Sequence, residues 1–561
     1  MPKANRVMII GLDGATWTVI DPWIKDGTLP NLARLRREGS WGNLLSTIPP
    51  ITAAAWSTFM TGKKPGKHGV FHFIKLFEEN NSSNGKPDLV SARSIKSSTL
   101  WDILGHHERC VALINIPLTY PPRPVNGVMI TGLLTPSSAK IFTYPPELSK
   151  EITDYKIDLD RFIDKKPFQD DFNDEITAPS LTLVEEYREM TEKRLRVTRC
   201  LMEREPWDFF MVVFTSPDRM GHYLWPFHRS PQPDDSLEVQ QLCQAVRDYY
   251  IRLDQVVGEL ADQAGEDVTV IVISDHGMGP VPGKQLHCNN WLQQHGWLRA
   301  GSNGTYITSP DSWLKRLGLP RDKVGRMVRR IPGLVRNKWV RKAASSRATT
   351  VDVHQSKAYG VPIFFNIMGI RINLEGAEKE ALRREIMQKL PDITDPETGQ
   401  RVVQQVYRGE EYYYGPYADN TPDIIAIIAP EYGCNYHLSH YSSFVTKRQV
   451  VSGPAKHRVE GIFIARGANI VSQPGALPNL NIEDVAPTVL HLMGLFVPTD
   501  LDGRVLTEVL APDFLKTQPV RQGEPIGLWP DEAQATFSDE VMSNEDEELI
   551  RDRLQALGYF E

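Results

Sequence analysis

Seven polar side chains stand where segments of regular structure should begin or end: Asp13, Thr52, Asp218, His222, Asp275, His276 and His457. A threonine hydroxyl becomes a nucleophile once a neighbouring base or cation helps remove its proton. Aspartate and histidine are the mixed oxygen and nitrogen donors that suit zinc, with manganese as an alternative. Three aspartates, three histidines and one hydroxyl suffice for two divalent cations. Two such cations a few Å apart clamp the attacking and leaving oxygens of phosphoryl transfer. Each residue alone also has a plainer reading. Thr52 follows Pro49-Pro50-Ile51 and precedes the helix formers Ala53 to Met60, so it is expected to be a helix N-cap. Asp13, in Gly11-Leu12-Asp13-Gly14, suits a turn. Asp218 and His222, four residues apart, share one face of a helical turn, as a surface ion pair would too.

The elements that must position these residues are short apolar runs. Val7–Ile10, Val111–Ile116, Phe209–Phe214, Val268–Ile273 and Ile424–Ile428 are continuous rather than alternating. That pattern suits strands of a parallel sheet covered on both faces, and hence an α/β fold. Ligands of open parallel sheets bind beyond the carboxyl ends of the strands. Asp13, Asp218 and the Asp275-His276 pair each follow such a run. Neighbouring residues of a strand point to opposite faces, so Asp275 and His276 converge only across a turn, which Gly277 and Gly279 permit. His457 lies in a Gly/Pro-rich stretch immediately before a further strand beginning near Gly461. Helices are expected at Leu29–Glu38, Leu181–Glu205, Lys379–Leu390, Asp484–Leu492 and Glu545–Leu557.

The 561 residues are 41% hydrophobic and 24% charged, ordinary for a soluble globular protein. A net charge of −7 gives no nucleic-acid signature. The five cysteines are scattered without a C-x-x-C, which fits a reducing compartment. The apolar segment near the start is too short for a signal-peptide core, and no run reaches the length of a membrane helix. A cytoplasmic location is therefore expected. Four regions follow from the pattern. Residues 1–300 form the first part of a catalytic core, with an insertion at about 135–180. Residues 301–350 form a basic helical insertion or lid, 351–512 the second part of the core, and 513–561 an acidic tail with a short helix. Within the basic insertion, Lys315 to Arg347 interleaves cations with Trp313, Trp339 and aliphatic residues. A solvated helical insertion is favoured there over contact with anionic lipid.

Taken in order, the motifs resemble the alkaline phosphatase superfamily. The closest likeness is to its type I phosphodiesterase/nucleotide pyrophosphatase branch and the bacterial and archaeal phosphohydrolase/phosphomutase relatives. The matching stretches are Gly11-Leu12-Asp13-Gly14, Pro50-Ile51-Thr52-Ala53, Pro65-Gly66-Lys67-His68-Gly69, Pro217-Asp218 with His222, Ser274-Asp275-His276-Gly277, and His457 before Gly461-Ile462-Phe463. The resemblance implies a three-layer α/β/α sandwich with a mostly parallel central sheet and helical insertions. It implies a hydrolase of phosphoric ester or anhydride bonds with two divalent metal ions, zinc or alternatively manganese, and a small phosphorylated substrate. Asp218, His222 and His457 would bind one metal, and Asp13, Thr52, Asp275 and His276 the other. Thr52 would form a covalent phosphothreonine that water then hydrolyses. Lys63, Lys64 and Arg219 are candidates to contact the substrate phosphate. Rival readings are a phosphomutase or phosphotransferase using the same phospho-enzyme, a phosphomonoesterase, and a non-catalytic phosphate-binding or membrane-surface module built on residues 315–347. The Cys/Ser-x-Pro-x-Arg signature of sulfatases does not occur.

Overall fold

The computed structural model describes residues 5–75, 77, 82–83, 86–159, 180–301, 351–438, 443–447, 455–527 and 543–556. The basic stretch from Lys315 to Arg347 and residues 160–179 of the first insertion lie outside the described residues, as do residues 528–542 of the acidic segment. The chain divides into two units. One comprises residues 1–281, 412–420 and 451–561; the other comprises residues 282–411 and 421–450.

The first unit is built on a nine-stranded sheet. Its strands in chain order are β1 (Arg6–Leu12), β2 (Ser40–Leu45), β3 (Val111–Ile116), β4 (Gly127–Thr131), β5 (Thr143–Tyr144), β6 (Phe209–Phe214), β7 (Val268–Ile273), β10 (Glu460–Arg466) and β11 (Leu477–Asn481). A separate antiparallel pair, β8 (Gly277–Pro280) and β9 (Ala455–Arg458), lies between β7 and β10 in chain order. The spatial order is β11-β2-β10-β7-β1-β6-β3-β4-β5. β1 sits between β6 and β7, parallel to both, with Ile10 opposite Val212 and Val272. β10 runs against β7 and β2. Its beginning therefore lies at the edge where β1, β6 and β7 end, which brings His457 to the side of the strand-end aspartates.

Side chains alternate across this sheet and bury into both layers. On one face Met8, Ile10 and Leu12 join Val212, Phe214 and Val272 against Tyr187 and Leu195 of α2 (Leu181–Arg204) and Tyr249 and Leu253 of α4 (Leu237–Ala264). Each fully buried aliphatic chain of this kind contributes roughly 1.5–3 kcal/mol relative to exposure. On the other face lies α1 (Thr52–Thr61), all ten residues of which are buried, packed with the helices Leu100–His106 and Val485–Leu492. Gly11 makes room for it, since a Cβ there would come within 2.8 Å of the Trp56 ring. The architecture is the α/β/α sandwich with a mostly parallel sheet expected from sequence. The insertion after residue 135 adds an edge strand, β5, antiparallel to β4. The expected last helix is present as α5 (Asn544–Ala556), with Ile550 and Leu554 buried.

The second unit has its own four-stranded antiparallel sheet, formed by Ala358–Phe364, Ile367–Ile372, Ile424–Ile428 and Val403–Arg408 in that order. Ile370, Ile372 and Ile424 share a core with Leu382 and Ile386 of the helix Gly376–Lys389. This differs from the boundaries read at 300, 350 and 512. The run ending at Ile428 is fully hydrogen-bonded within this sheet and does not extend the nine-stranded one.

Candidate active site

All seven singled-out residues lie in the first unit, and none is more than 3% exposed. Asp13 leaves β1 with its N–H donating to the Phe214 carbonyl (3.0 Å). Gly14 then turns the chain at φ +67°, and a Cβ there would lie 2.8 Å from the Asp218 Cα. The glycine thus serves both the turn and the close approach of two acidic loops. Its N–H donates to Asp275 Oδ1 (3.2 Å), while Trp56 Nε1 donates to Asp13 Oδ2 (3.0 Å).

Thr52 is not the N-cap of its helix. Ile51 holds that place in an extended conformation, no side chain caps the helix start, and Thr52 is its first helical residue. The hydroxyl instead lies across the site, 3.2 Å from His276 Nε2. The first intrahelical bond is from Ala55 N–H to the Ile51 carbonyl (2.8 Å). The preceding N–H groups and the positive end of the helix dipole therefore stand at Thr52, an arrangement that favours anions.

Asp218 and His222 occupy one face of α3 (Ser216–Leu224), with Asp218 Oδ1 3.3 Å from His222 Nε2. The same oxygen is 3.3 Å from His457 Nε2, and the two Nε2 atoms are 3.0 Å apart. His457 belongs to β9 rather than to a loop; its pairing opposite Met278 of β8 sets it beside His276, whose ring stacks on it at 3.5 Å. His276 Nε2 lies 3.3 Å from Asp275 Oδ2, 3.7 Å from Asp13 Oδ1 and 3.9 Å from Asp218 Oδ1.

The protonation pattern of these rings is set from behind. His457 Nδ1 is 2.8 Å from the Pro50 carbonyl and His276 Nδ1 is 3.0 Å from the Gly277 carbonyl. A carbonyl only accepts, so the neutral rings carry their proton on Nδ1 and keep a lone pair on Nε2. Those lone pairs face carboxylate oxygens, three of which, Asp13 Oδ1, Asp218 Oδ1 and Asp275 Oδ2, are buried without a hydrogen-bond partner. Lone pairs facing buried carboxylates repel unless a cation lies among them. Two sets of ligand atoms lie within 4.8 Å of one another: Asp13, Asp275 and His276, and Asp218, His276 and His457. The donor chemistry fits divalent cations, and His276 belongs to both sets rather than to one.

Electrostatics without a cation agree. Burial, reinforced by the charge of Asp218, pushes Asp13 up to about 8. Burial, with Asp13 and Asp218 adding to it, drives Asp275 well above the carboxylate range. Burial also acts to raise Asp218, but its histidine neighbours outweigh that and hold it well below the usual value. Burial, aided by His457, keeps His276 far below the ordinary imidazole value.

The three residues proposed to contact phosphate are held by carboxylates. Lys63 Nζ pairs with Asp500 Oδ2 (2.5 Å), and Lys64 Nζ lies 3.9 Å from Glu483 Oε1. Both follow the far end of α1, a ten-residue helix spanning about 15 Å, so nearness in sequence to Thr52 does not become nearness in space. Arg219 is adjacent to the site but bonded to carboxylates, with Nη1 on Asp218 Oδ2 and Nη2 on Asp158 Oδ2, both at 2.7 Å. It steadies a candidate metal ligand. Sequence reasoning missed this role, and also Trp56 and the Pro50 carbonyl as supports. The spacing Thr52-x-x-x-Trp56, one helical turn, is the signal that could have found Trp56.

Residues 7–442 match the family model described as type I phosphodiesterase/nucleotide pyrophosphatase. The chain belongs to that family. As a type I phosphodiesterase/nucleotide pyrophosphatase family member it is a phosphoester hydrolase. The matched span contains every candidate site residue except His457, which follows it. Among solved structures, phosphonoacetate hydrolase from Sinorhizobium meliloti 1021 is similar at 15% identity, over 87% of this chain and 96% of that one. TM-scores are 0.50 for its complex with phosphonoformate and 0.51 for that with phosphonoacetate. Human ectonucleotide pyrophosphatase/phosphodiesterase 5 is 12% identical over 90% of this chain and 99% of that one, with a TM-score of 0.44. The hydrolase likeness is one of fold. A search of curated proteins by sequence finds no match. No helix among the described residues is long and apolar enough to cross a membrane.

Proposed function

We propose that this chain is a metal-dependent phosphohydrolase that cleaves phosphodiester or pyrophosphate bonds of a small substrate through a covalent phosphothreonine at Thr52. The observation carrying this reading is the convergence of His276 and His457 lone pairs on buried carboxylate oxygens beside a threonine hydroxyl at a helix start. Asp218, His222 and His457 would hold one divalent ion, and Asp13, Asp275 and His276 the other, with Thr52 at the second. When bound, such ions neutralise the phosphate and favour the ionised threonine hydroxyl. The mixed nitrogen and oxygen donors suit zinc, with manganese as the alternative.

The chain's own groups define the rest. The Thr52 oxygen forms a bond to phosphorus as the bond to the leaving oxygen breaks. The N–H groups at the start of α1 stabilise the charge on the non-bridging oxygens. Water then displaces Thr52 from phosphorus and restores the hydroxyl. Burial of the site excludes competing water until the leaving group departs.

The test is a screen of zinc- or manganese-loaded protein against monoesters, diesters, pyrophosphates and phosphonates, with mass spectrometry of acid-quenched protein. Turnover of diesters or pyrophosphates with phosphate on Thr52 supports the proposal. Turnover without a phosphorylated Thr52 overturns the covalent route. Transfer of the phosphoryl group to an added alcohol in preference to water would reassign the activity as phosphotransfer.

A further inference from the structure

Four consecutive carbonyls lead into Thr52, and each accepts a hydrogen bond. Ile48 takes one from the Tyr413 hydroxyl (2.9 Å). Pro49 takes one from Thr47 Oγ1 (2.6 Å) and one from the Ile51 N–H (2.9 Å). Pro50 takes one from His457 Nδ1 (2.8 Å), and Ile51 one from the Ala55 N–H (2.8 Å). Pro49 and Pro50 have no N–H, so this buried stretch is held largely through what its carbonyls accept. Two of the donors come from far along the chain. His457 is already a candidate metal ligand; Tyr413 has no part in the proposed chemistry. Its ring is buried, meeting Phe71 edge-on at 5.3 Å and lying 6.2 Å from Phe77. Burial drives its phenol far above the ordinary value, so the hydroxyl keeps its proton. Between residues 282 and 450 only 412–420 belong to the first unit. There Tyr414 donates to Asp502 Oδ1 (2.9 Å) and the Tyr417 N–H to the Gly66 carbonyl (3.0 Å). The Tyr414 carbonyl comes so near Gly66 that a Cβ there would lie 2.2 Å from it. The Tyr413 hydroxyl is thus carried on a backbone pinned by its neighbours.

We propose that Tyr413 is a positioning residue for the Thr52 nucleophile: its hydrogen bond to the Ile48 carbonyl fixes the entry of the Pro49-Pro50 stretch, and with it the place of the threonine hydroxyl against His276. This rests on the phosphothreonine reading above. The two distant donors divide the work. His457 ties the Pro50 carbonyl to the candidate metal centre, and Tyr413 ties the Ile48 carbonyl to a part of the fold outside that centre. Without Tyr413 the stretch keeps its hold on His457 but is free to swing at its Ile48 end. Attack on phosphorus needs the threonine oxygen in line with the leaving oxygen, and a displacement of about 1 Å can cost about 100-fold in rate. Loss of one of two anchors, with the ring still in place, should cost about tenfold. Ground-state binding of phosphate and of metal should change little, because no contact to either is removed. Tyr413 acts through Thr52 and is not itself catalytic.

The test uses the full-length, zinc-loaded chain and two probes that need no knowledge of the substrate. Orthovanadate takes the five-coordinate geometry of the transition state and bonds to the nucleophile; inorganic phosphate does not. Both affinities are measured by titration calorimetry, zinc affinity by competition with a chromophoric chelator, and Tm by scanning calorimetry. Tyr413→Phe keeps the ring and removes the donor. It should weaken vanadate about tenfold while phosphate and zinc affinities stay within about twofold. Thr52→Ala should lose the preference for vanadate, and adding Tyr413→Phe to it should cost nothing more, because the two act in series. An unchanged vanadate affinity in Tyr413→Phe with a lower Tm would make Tyr413 a stabilising contact only. An equal loss for phosphate, or a loss of zinc affinity, would place its effect on the metal centre rather than on Thr52. Either result overturns the inference and leaves the phosphothreonine reading standing. Vanadate binding that is unaffected by Thr52→Ala would overturn that reading, and this inference with it.

Discussion

The two candidate ligand clusters are built differently. Around Asp13 and Asp275 the donors are mainly acidic and both carboxyl groups are driven upward by burial. Around Asp218 two histidines and an arginine surround one carboxylate, which is held low. In the proposed metal-bound state the first cluster would depend on a cation for charge balance. The second already contains much of its own. Cation removal should therefore disturb the Asp13 side more, although Thr52 lies against His276 between them.

The largest test of this contrast bypasses both clusters. Thr52→Ala should lower kcat about 1,000-fold or more while leaving bound metal at its normal stoichiometry; substantial residual turnover would remove the nucleophile from the scheme. Next, Asp275→Asn should release the metal of the acidic cluster and retain that of the histidine-rich one. Elemental analysis would then show about half the normal content, and full content would break the assignment. The outer supports should separate the clusters further. Trp56→Phe removes the donor to Asp13 Oδ2 and Arg219→Met the donor to Asp218 Oδ2. Each should weaken one of two resolvable zinc affinities by 10–100-fold.

The pH dependence follows from Asp13. In the metal-free protein its pKa is raised, so the stability it contributes is complete below about pH 4 and is lost as pH rises through about 8. Metal binding needs the ionised ligands and strengthens over the same interval. The Tm difference between zinc-loaded and metal-free protein should therefore widen from pH 4 to pH 8 in scanning calorimetry; a constant difference would contradict the ligand role of Asp13. The smallest effect is expected for Lys63→Ala. It should cost about 1–2 kcal/mol of stability through loss of the Asp500 pair, with kcat/KM within about threefold of the unaltered protein. A large rise in KM would instead restore Lys63 as a substrate contact.

The strand-end residues were legible because the strands preceding them are short, continuous and apolar, a pattern with few other structural uses. The convergence of Asp275 and His276 was legible because alternation forbids it without a turn. Only the plainer, cap reading of Thr52 fails, because composition marks where a helix starts only to within a residue: Ile51 is the cap and the Thr52 hydroxyl lies against His276. Lys63 and Lys64 were placed by their separation from Thr52 along the chain, without allowing for the length of the rigid helix between them. The strand Ile424–Ile428 is buried except for the half-buried Ile427, much like one of the central sheet, and periodicity does not reveal which sheet a strand joins. The charges behind Asp218 were invisible because Asp158 and Arg219 are distant in sequence and meet only in the folded chain, without any local motif.

The antiparallel entry of β10 has a consequence for biosynthesis. The preceding strand, β9, delivers His457 to a carbonyl 407 positions earlier in the chain, at Pro50. On the ribosome, Asp13, Thr52 and Asp218 emerge long before that histidine exists. A nascent chain ending before residue 457 would present the three aspartates, His222, His276 and Thr52 without His457. Such a separation also slows folding, since distant segments must meet before their contacts stabilise anything.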